Sequence, residues 1–246
     1  MVTVPTSLEE TLAQAKTATL GALNDGYKRV QVELVIPEIA LKAMNIAWEF
    51  TPLFQEYGSG LKVLFPDTGA AALARREWGE ILFKISDLGS SRTPVEMKVN
   101  DEDRAFLVVC PSAVEVGQVE KLCNIAGERP VVLLIPQLED VSIVGIGYAA
   151  RELRKRFLST LESCYYFRPL EGAVVLRSYP SLWQVWLEKE DEYELRAEES
   201  EKPMGEALER ILNKQSSSKE EGNVGPTPKK TSLLGNLQKF LRALSQ

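Results

Sequence analysis

The chain has 246 residues, of which 44% are apolar and 26% are charged, a balance typical of an ordinary globular protein. No apolar run approaches the ~20 residues that a membrane-spanning helix needs, so the sequence predicts no such span. The chain contains no histidine, and it therefore lacks the commonest general base and metal ligand. We accordingly predict no catalytic residue, no metal site and no cofactor.

The net charge of −6 is unevenly distributed. Residues 229–246 contain four basic side chains and no acidic one, so they carry +4 while the other residues sum to −10. An acidic body with an isoelectric point near 5.1 disfavours nucleic acid as a partner. The three cysteines lack CxxC spacing and the N-terminus lacks a signal-peptide pattern, so we expect core-packed thiols and a cytoplasmic location.

The first part of the chain alternates predicted helices with predicted strands. Ser7 and Glu10 form a capping box that begins the first helix, which ends before Gly26 in a left-handed conformation. Further helices are predicted at about residues 39–57 (with a break near Pro52), 70–78, 114–126 and 145–163. Strands are predicted at residues 30–36, 61–65, 81–85, 105–110 and 131–135. Residues 86–103 lack a steady period and are predicted to be a surface loop.

Beyond residue 163 the pattern changes to short strands separated by tight turns. These strands are predicted at residues 165–168, 173–178, 183–188 and 193–198, with a short helix at 205–213. The whole pattern predicts an α/β fold with three layers and a Rossmann-like mixed sheet. This sheet is expected to be mainly parallel in its first half and to continue into an antiparallel C-terminal meander.

The C-terminal end differs from the rest of the chain. We predict a globular domain over residues 1–214, a flexible linker over 215–230 and an amphipathic helix over 231–246, since the linker has one aliphatic side chain, Val224. Lys239 and Arg242 lie opposite the apolar stripe of the helix. The stripe consists of Leu233, Leu234, Leu237, Phe240, Leu241 and Leu244.

An isolated helix of this length is marginal in water, so we expect residues 231–246 to dock. A partner protein with a groove for an amphipathic helix is the favoured target. An anionic membrane surface, with peripheral association through the basic residues, is a second interpretation. The third is that the helix folds back onto its own domain, although the linker would then serve no purpose.

A glycine-rich segment begins the predicted helix at 145–163. Gly145 and Gly147 fit the loose form GxGxxA, but a dinucleotide site needs a strand immediately before the motif, and the nearest one ends at Ile135. A helix N-terminus with Arg151 and Arg154 nearby is a competent phosphate or carboxylate site. The alternative is a solvated helix face on which Glu152 pairs with Arg156.

Asp67, Thr68 and Gly69 spell the Asp-Thr-Gly of aspartic proteases. Those enzymes need two such loops, and this chain has one, followed by a helical run. We therefore expect Asp67 or Thr68 to cap that helix. Because Asp67 follows a predicted parallel strand, where open α/β sheets bind ligands, it is also a candidate ligand-binding residue.

Aromatic residues concentrate in the predicted meander. Trp183, Val185 and Leu187 share one strand face and are expected in the core. Trp186 then points the other way, either under a helix or toward a partner.

Four separated blocks of the sequence resemble a known family. They are residues 7–26 (SLEETLAQAKTATLGALNDG), 65–79 (FPDTGAAALARREWG), 131–140 (VVLLIPQLED) and 145–186, which begins GIGYAARELRKRF. Over about residues 5–205 the chain resembles a domain of unknown function from cyanobacteria and plant chloroplasts. In plants this domain occurs in the low-photosystem-II-accumulation factor, which helps to assemble the reaction centre, and it is fused to a chloroplast adenylate kinase.

The resemblance implies a non-enzymatic accessory factor in assembly or maintenance of the photosynthetic apparatus, peripheral at the thylakoid membrane. It supplies no catalytic residues, and the absence of a GxxxxGK motif leaves adenylate kinase activity without support. The alternative is a protein that binds or converts a nucleotide or another phosphorylated small molecule, with Asp67, Arg151 and Arg154 at the strand ends.

Overall fold

The computed structural model of the protein describes residues 3–138, 148–190 and 192–213. Within these residues the strands are β1 (Arg29–Leu34), β2 (Leu61–Phe65), β3 (Lys84–Asp87), β4 (Ala105–Val109), β5 (Val131–Leu134), β6 (Glu162–Leu170), β7 (Ala173–Ser178), β8 (Trp183–Lys189) and β9 (Glu192–Glu199). The α-helices are α1 (Leu8–Asn24), α2 (Ala43–Phe50), α3 (Thr68–Trp78), α4 (Val116–Ala126), α5 (Tyr148–Arg156) and α6 (Gly205–Asn213).

All of these strands belong to a single sheet with the order β3-β2-β4-β5-β1-β6-β7-β8-β9. The strands from β3 to β6 pair in parallel, whereas β6, β7, β8 and β9 pair antiparallel. The predicted combination of a parallel first half with an antiparallel meander is confirmed. Strand β1 lies at the centre of the sheet, beside the junction between its two halves.

Helices cover both faces of the sheet, as the three-layer prediction requires. Helices α1, α2 and α3 pack on what we call the first face, against side chains such as Val32. Helices α4 and α5 pack on the second face, where Leu133 belongs to the core. Helix α6 also lies on the second face, and its Leu208 packs over the meander near Tyr166.

The burial of each strand follows its place in the sheet. Every residue of β2, β4 and β5 is buried, as expected for strands that are covered on both faces. Strand β1 is central too, yet its residues alternate between buried and half-buried. One face of this central strand is therefore only partly covered.

The first helix begins and ends as its sequence predicts. The Ser7 hydroxyl accepts a hydrogen bond from the Glu10 backbone N–H at 3.1 Å, which satisfies one free donor of the first turn. Gly26 follows the helix with φ at +97°, a conformation that favours glycine.

The helix predicted at residues 39–57 is broken in the structure. A 3-10 turn (Ile39–Lys42) precedes α2, and a 3-10 segment (Thr51–Gly60) follows it. Pro52 lies at the break because proline has no N–H to donate within a helix. The strand predicted at 81–85 is also displaced, since β3 begins at Lys84.

Residues 86–103 have little regular structure, as predicted, but they do not lie wholly at the surface. Leu88 and Val95 are fully buried in the second-face core, so this segment covers β2 and β3 where a helix was not available. A buried ion pair between Lys62 and Asp103, with nitrogen and oxygen 2.5 Å apart, fixes its far end. Such anchoring by charged pairs leaves no periodic pattern in the sequence.

The long helix predicted at residues 145–163 is wrong at its C-terminal end. Helix α5 ends at Arg156, a 3-10 turn (Leu158–Thr160) follows, and β6 already begins at Glu162. Pairing of β6 with β1 overrides the local helical pattern, and a bulge opposite Gln31 accommodates it. The start of the predicted helix, including Gly145 and Gly147, lies outside the described residues.

The meander residues largely follow the prediction. Trp183 and Val185 are buried on the second face, while Leu187 is only half-buried. Trp186 points the other way, toward the first-face core. Across the described ranges no helix has the length and apolarity to cross a bilayer. The predicted linker and C-terminal helix, residues 215–246, lie outside those ranges.

Candidate functional site

The first candidate site is the edge of the sheet at which the parallel strands end. Chain segments leave the adjacent strands β2 and β4 toward opposite faces, since α3 packs on the first face and α4 on the second. Open α/β sheets bind ligands at such a point, outside the carboxyl ends of the strands. The predicted residues Asp67 and Thr68 follow β2 and lie at this edge.

Asp67 serves as the cap of α3. Its Oδ1 atom accepts a hydrogen bond from the Ala70 backbone N–H at 2.9 Å, and its backbone is extended, as a capping residue requires. The carboxylate thus stands at the N-terminus of α3, where a phosphate would otherwise bind. The capping role predicted for Asp67 is confirmed.

Thr68 contributes to an ion pair at this edge. Its hydroxyl donates to Asp87 Oδ2 at 3.4 Å, and Asp87 also accepts from the Gly89 N–H at 2.8 Å and from the Lys98 ammonium. Burial opposes ionisation of Asp87, but these hydrogen bonds outweigh burial and lower its pKa. Asp87 and Lys98 therefore form an ion pair that joins β3 to the segment covering it.

The backbone adopts unusual conformations just beyond the two neighbouring strands β4 and β5. Cys110 has φ at +48° and Ile135 has φ at +54°. A positive φ is costly for a β-branched residue such as Ile135. The hydrogen bond from the Cys110 N–H to the Leu134 carbonyl, 2.7 Å, and that from the Ile135 N–H to the Val32 carbonyl, 2.8 Å, hold these conformations.

The cysteines in the described ranges are poorly suited to nucleophilic chemistry. Burial raises the pKa of the Cys123 and Cys164 thiols to about 12. The Cys110 thiol is half-buried, and its pKa is raised by burial and by the nearby Glu115 carboxylate. Because the thiolate is the nucleophile, the raised pKa makes each of these thiols less reactive than that of a solvent-exposed cysteine.

The predicted arginines lie on α5. Arg151 is exposed and Arg154 is half-buried. The alternative pairing proposed for this face is not the one seen, because Arg156 forms a bidentate ion pair with Glu120 of α4, at 2.7 and 3.0 Å. In the part of the chain that the structure describes, Asp67 and Arg151 share no hydrogen bond or ion pair.

The second candidate site was not anticipated from the sequence and lies on the open face of β1. Gln31 pairs with Leu133 and Glu33 pairs with Tyr166, which places both polar residues on the second face. They lie between the apolar cluster beneath α4 and α5 and the cluster beneath α6. A central strand thus presents an amide and a carboxylate where apolar side chains are expected.

The Glu33 carboxylate is held by three donors. The Ser163 hydroxyl and the Lys202 ammonium, 2.7 Å away, donate to it, as does the Gln31 amide at 3.3 Å. The Glu33 side chain is only 14% exposed. A buried carboxylate needs such partners, and these three fix its position and orientation.

Aromatic rings from two strands of the meander stand beside this carboxylate. The Tyr166 and Trp183 rings meet edge to face, with centroids 5.1 Å apart. The Lys202 ammonium lies 4.1 Å from the Tyr166 centroid and 5.5 Å from that of Trp183. We call Glu33, Tyr166 and Trp183 the ammonium cage, because a carboxylate and aromatic faces together favour a cation.

One sequence signal could have revealed this site. The pattern RVQVEL of β1 alternates, whereas the other parallel strands in the middle of the sheet are continuously apolar. That contrast marks a polar face on β1. The contact with Lys202 could not be foreseen, since 169 positions separate it from Glu33.

The described residues do not include a metal site. No three histidine, cysteine, aspartate or glutamate side chains in these ranges are grouped so that they would hold an ion.

One protein family matches most of the chain. Residues 5–210 match the model of a family whose description reads "Domain of unknown function (DUF1995)". The chain belongs to this family. The match covers every strand that the structure describes and the first part of α6, so the whole sheet lies within the family's domain. Membership in DUF1995 assigns no activity, and the link to photosystem assembly stays a prediction.

Proposed function

We propose that this protein is a non-enzymatic accessory factor that binds a client during assembly or maintenance of the photosynthetic apparatus. The photosynthetic part of the proposal rests on the sequence resemblance to the chloroplast assembly factor. Recruitment rests on the apolar stripe and basic residues of the segment 231–246. The protein would be located in the cytoplasm and would associate peripherally with the thylakoid membrane.

The observation that carries the non-enzymatic part is the engagement of ionisable groups at the carboxyl ends of the strands. Asp67 caps α3, Asp87 holds Lys98, and Glu115 accepts hydrogen bonds from the Ser112 hydroxyl and N–H. Each of these carboxylates would have to give up its structural contacts in order to act as an acid, a base or a nucleophile. A binding function makes no such demand on these residues.

The globular body offers a surface for a client beside the β3 edge. The rings of Trp48, Trp78 and Phe83 lie with centroids 5.3 to 6.4 Å apart, and we call these residues together with Leu82 the aromatic surface. Trp48 is 44% exposed and Leu82 is 83% exposed. Exposed apolar groups clustered in this way mark protein interaction sites. The client we propose is therefore a polypeptide with a complementary apolar surface.

Recruitment is tested with full-length protein in pull-down and membrane flotation. In one variant Leu237, Phe240 and Leu241 are replaced by serine, which keeps the length and charge of the segment 231–246. In the matched variant Lys239 and Arg242 are replaced by glutamine, which keeps its apolar stripe. We expect the serine variant to lose recruitment. Equal recruitment of all three proteins would contradict the proposal.

Client binding by the body is tested with substitutions on the aromatic surface. We expect a double variant, Trp48→Gln with Leu82→Gln, to fail to capture the client that the unmodified protein captures. The control is Val114→Gln, since Val114 is 88% exposed but lies outside the aromatic surface. If the control and the double variant captured the same client equally, the aromatic surface would be excluded as its site.

The alternative function, binding of a nucleotide or another phosphorylated small molecule, has less support. The Asp67 carboxylate already caps the α3 N-terminus, and its negative charge would repel a phosphate there. A thermal-shift screen against nucleotides and sugar phosphates decides the matter. Stabilisation that is lost in Arg151→Ala and Arg154→Ala would favour this alternative over the accessory factor.

A further inference from the structure

The segment between β9 and α6, residues 200–204, carries Lys202 into the ammonium cage. Pro203 is buried beside it, whereas Glu201 and Met204 are exposed. Among the described residues, the one backbone hydrogen bond of this segment outside regular structure runs from the Ala207 N–H to the Met204 carbonyl, within the start of α6. The Lys202 side chain is therefore the main polar link between this segment and the sheet.

The ammonium cage is built from parts that do not depend on Lys202. Glu33 belongs to β1, Tyr166 to β6 and Trp183 to β8. Tyr166 is 4% exposed and Trp183 5%, and Glu33 keeps its hydrogen bonds from Ser163 and Gln31. Three strands of one sheet thus hold a carboxylate and two aromatic rings in place, and the Arg177 guanidinium also lies over the Trp183 ring, 5.1 Å from its centroid.

The geometry also selects among cations. The 2.7 Å distance from the Lys202 nitrogen to a Glu33 oxygen is that of a charge-assisted hydrogen bond, which needs an N–H donor. The aromatic faces favour the alkyl stem and the positive charge together. A primary alkylammonium group satisfies both requirements, whereas a quaternary ammonium cannot donate to Glu33.

The segment 200–204 borders an open cavity. An open cavity of about 390 Å³ adjoins it, lined by residues of this segment and of α6. The Lys202 side chain is 31% exposed, so part of it is in contact with solvent. The adjoining α6 is held separately by its apolar residues, including Leu208 and Ile211.

We infer that Glu33, Tyr166 and Trp183 form a binding site for a primary alkylammonium group, which Lys202 occupies in cis. An external amine, either a lysine side chain of a partner polypeptide or a small alkylamine, takes the site when residues 200–204 lift away. This inference stands apart from the proposed client binding, because it concerns the second face of the sheet rather than the aromatic surface.

While Lys202 occupies the cage, an external amine can bind only to the molecules whose cage is empty. The apparent affinity for the amine therefore falls in proportion to that empty fraction. If Lys202 occupies the cage in about nine of ten molecules or more, its removal should tighten binding at least ~10-fold. The full chain carrying Lys202→Ala is therefore the protein to test. Lys202→Met, which keeps the apolar stem but not the charge, is the second variant in case alanine destabilises the segment.

The probe is n-butylammonium chloride, compared with sodium chloride and tetramethylammonium chloride at equal ionic strength. Binding is followed through the indole N–H resonances of the four tryptophans by NMR, with the Trp183 signal identified from a Trp183→Phe variant. We expect saturable shifts of the Trp183 signal with n-butylammonium alone, in Lys202→Ala or Lys202→Met. Unmodified protein should respond at least ~10-fold more weakly.

Glu33→Gln combined with Lys202→Ala is the matched control, since it removes the carboxylate and leaves the rings. Loss of the response in this double variant supports the inference. An equal response to sodium chloride, to tetramethylammonium or in the double variant overturns it. A peptide with one lysine, compared with its acetyl-lysine form, then separates the two sources: tighter binding than n-butylammonium assigns a polypeptide, and equal or weaker binding assigns a small amine.

Discussion

At the scale of single residues, the protein uses buried ion pairs where apolar packing is expected. Lys62 in β2 is 3% exposed and Asp103 is fully buried. Asp103 accepts hydrogen bonds from the Asn100 N–H at 2.8 Å and from Lys84 at 3.2 Å, in addition to its pairing with Lys62. These bonds compensate for removing both charges from water.

Removing one partner of this pair should be far more damaging than removing both. We expect Asp103→Ala to lower the free energy of unfolding by roughly 3–5 kcal/mol, because it leaves the Lys62 ammonium buried without a counter-charge. The double variant Lys62→Met with Asp103→Leu should lose much less. Urea unfolding measures both. Equal losses in the single and double variants would show that the charges do not act as a pair.

The same carboxylates predict how stability depends on pH. Despite burial, which opposes ionisation, hydrogen bonds from lysines and backbone N–H groups lower the pKa of Asp103 and of Asp87. Their stabilisation is present above the unfolded value of about 3.9 and is lost as the pH falls through the lower folded values. We expect the free energy of unfolding to fall steeply below about pH 4. Asp87→Asn should flatten this fall, and an unchanged slope would exclude Asp87 as a contributor.

At the scale of helices and strands, substitutions can separate the role of Asp67 as the cap of α3 from a role of its negative charge. If Asp67 acts only as the cap of α3, Asp67→Asn should be nearly neutral because asparagine caps equally well. Asp67→Ala should cost about 1 kcal/mol in the free energy of unfolding. Thermal unfolding measures both. A large loss in Asp67→Asn would indicate that the negative charge itself is needed.

Elements with strong local signals could be predicted from the sequence. The capping box of α1, the apolar strands β2, β4 and β5, and the antiparallel meander all follow from spacing and composition. The errors lie where distant contacts decide the local structure. Residues 86–103 are packed by a buried ion pair, and β6 begins early because it pairs with β1. The ammonium cage combines residues from β1, β6 and β8, its occupant Lys202 comes from the segment 200–204, and no local pattern connects them.

At the scale of the whole molecule, the negative charge is concentrated at one edge of the sheet. Residues 188–210 contain ten acidic and four basic side chains, a balance of −6 that equals the net charge of the chain, so the remaining residues sum to zero. Strand β9 lies in this region and forms an open edge of the sheet. Charged side chains on an open edge prevent pairing with another copy.

Neutralising this edge should therefore promote self-association. We expect Glu192→Thr, Glu194→Thr and Glu198→Thr together to shift the protein toward dimers or larger species in analytical ultracentrifugation, because they expose a strand without repulsive charge. The control replaces the exposed residues Glu9, Glu49 and Glu80, which lie outside β9, with glutamine. Equal association of the two variants would attribute the effect to net charge rather than to the edge.

The central claim is that residues 231–246 present an apolar stripe to a partner and not to their own domain. Amide NMR spectra of the full chain and of a chain ending at residue 214 measure this directly. We predict that the signals of residues 3–213 coincide in the two spectra, apart from those next to the point of truncation. If the shifts clustered on one face of the domain and disappeared in Phe240→Ser, the segment would dock onto its own domain. That result would contradict the account.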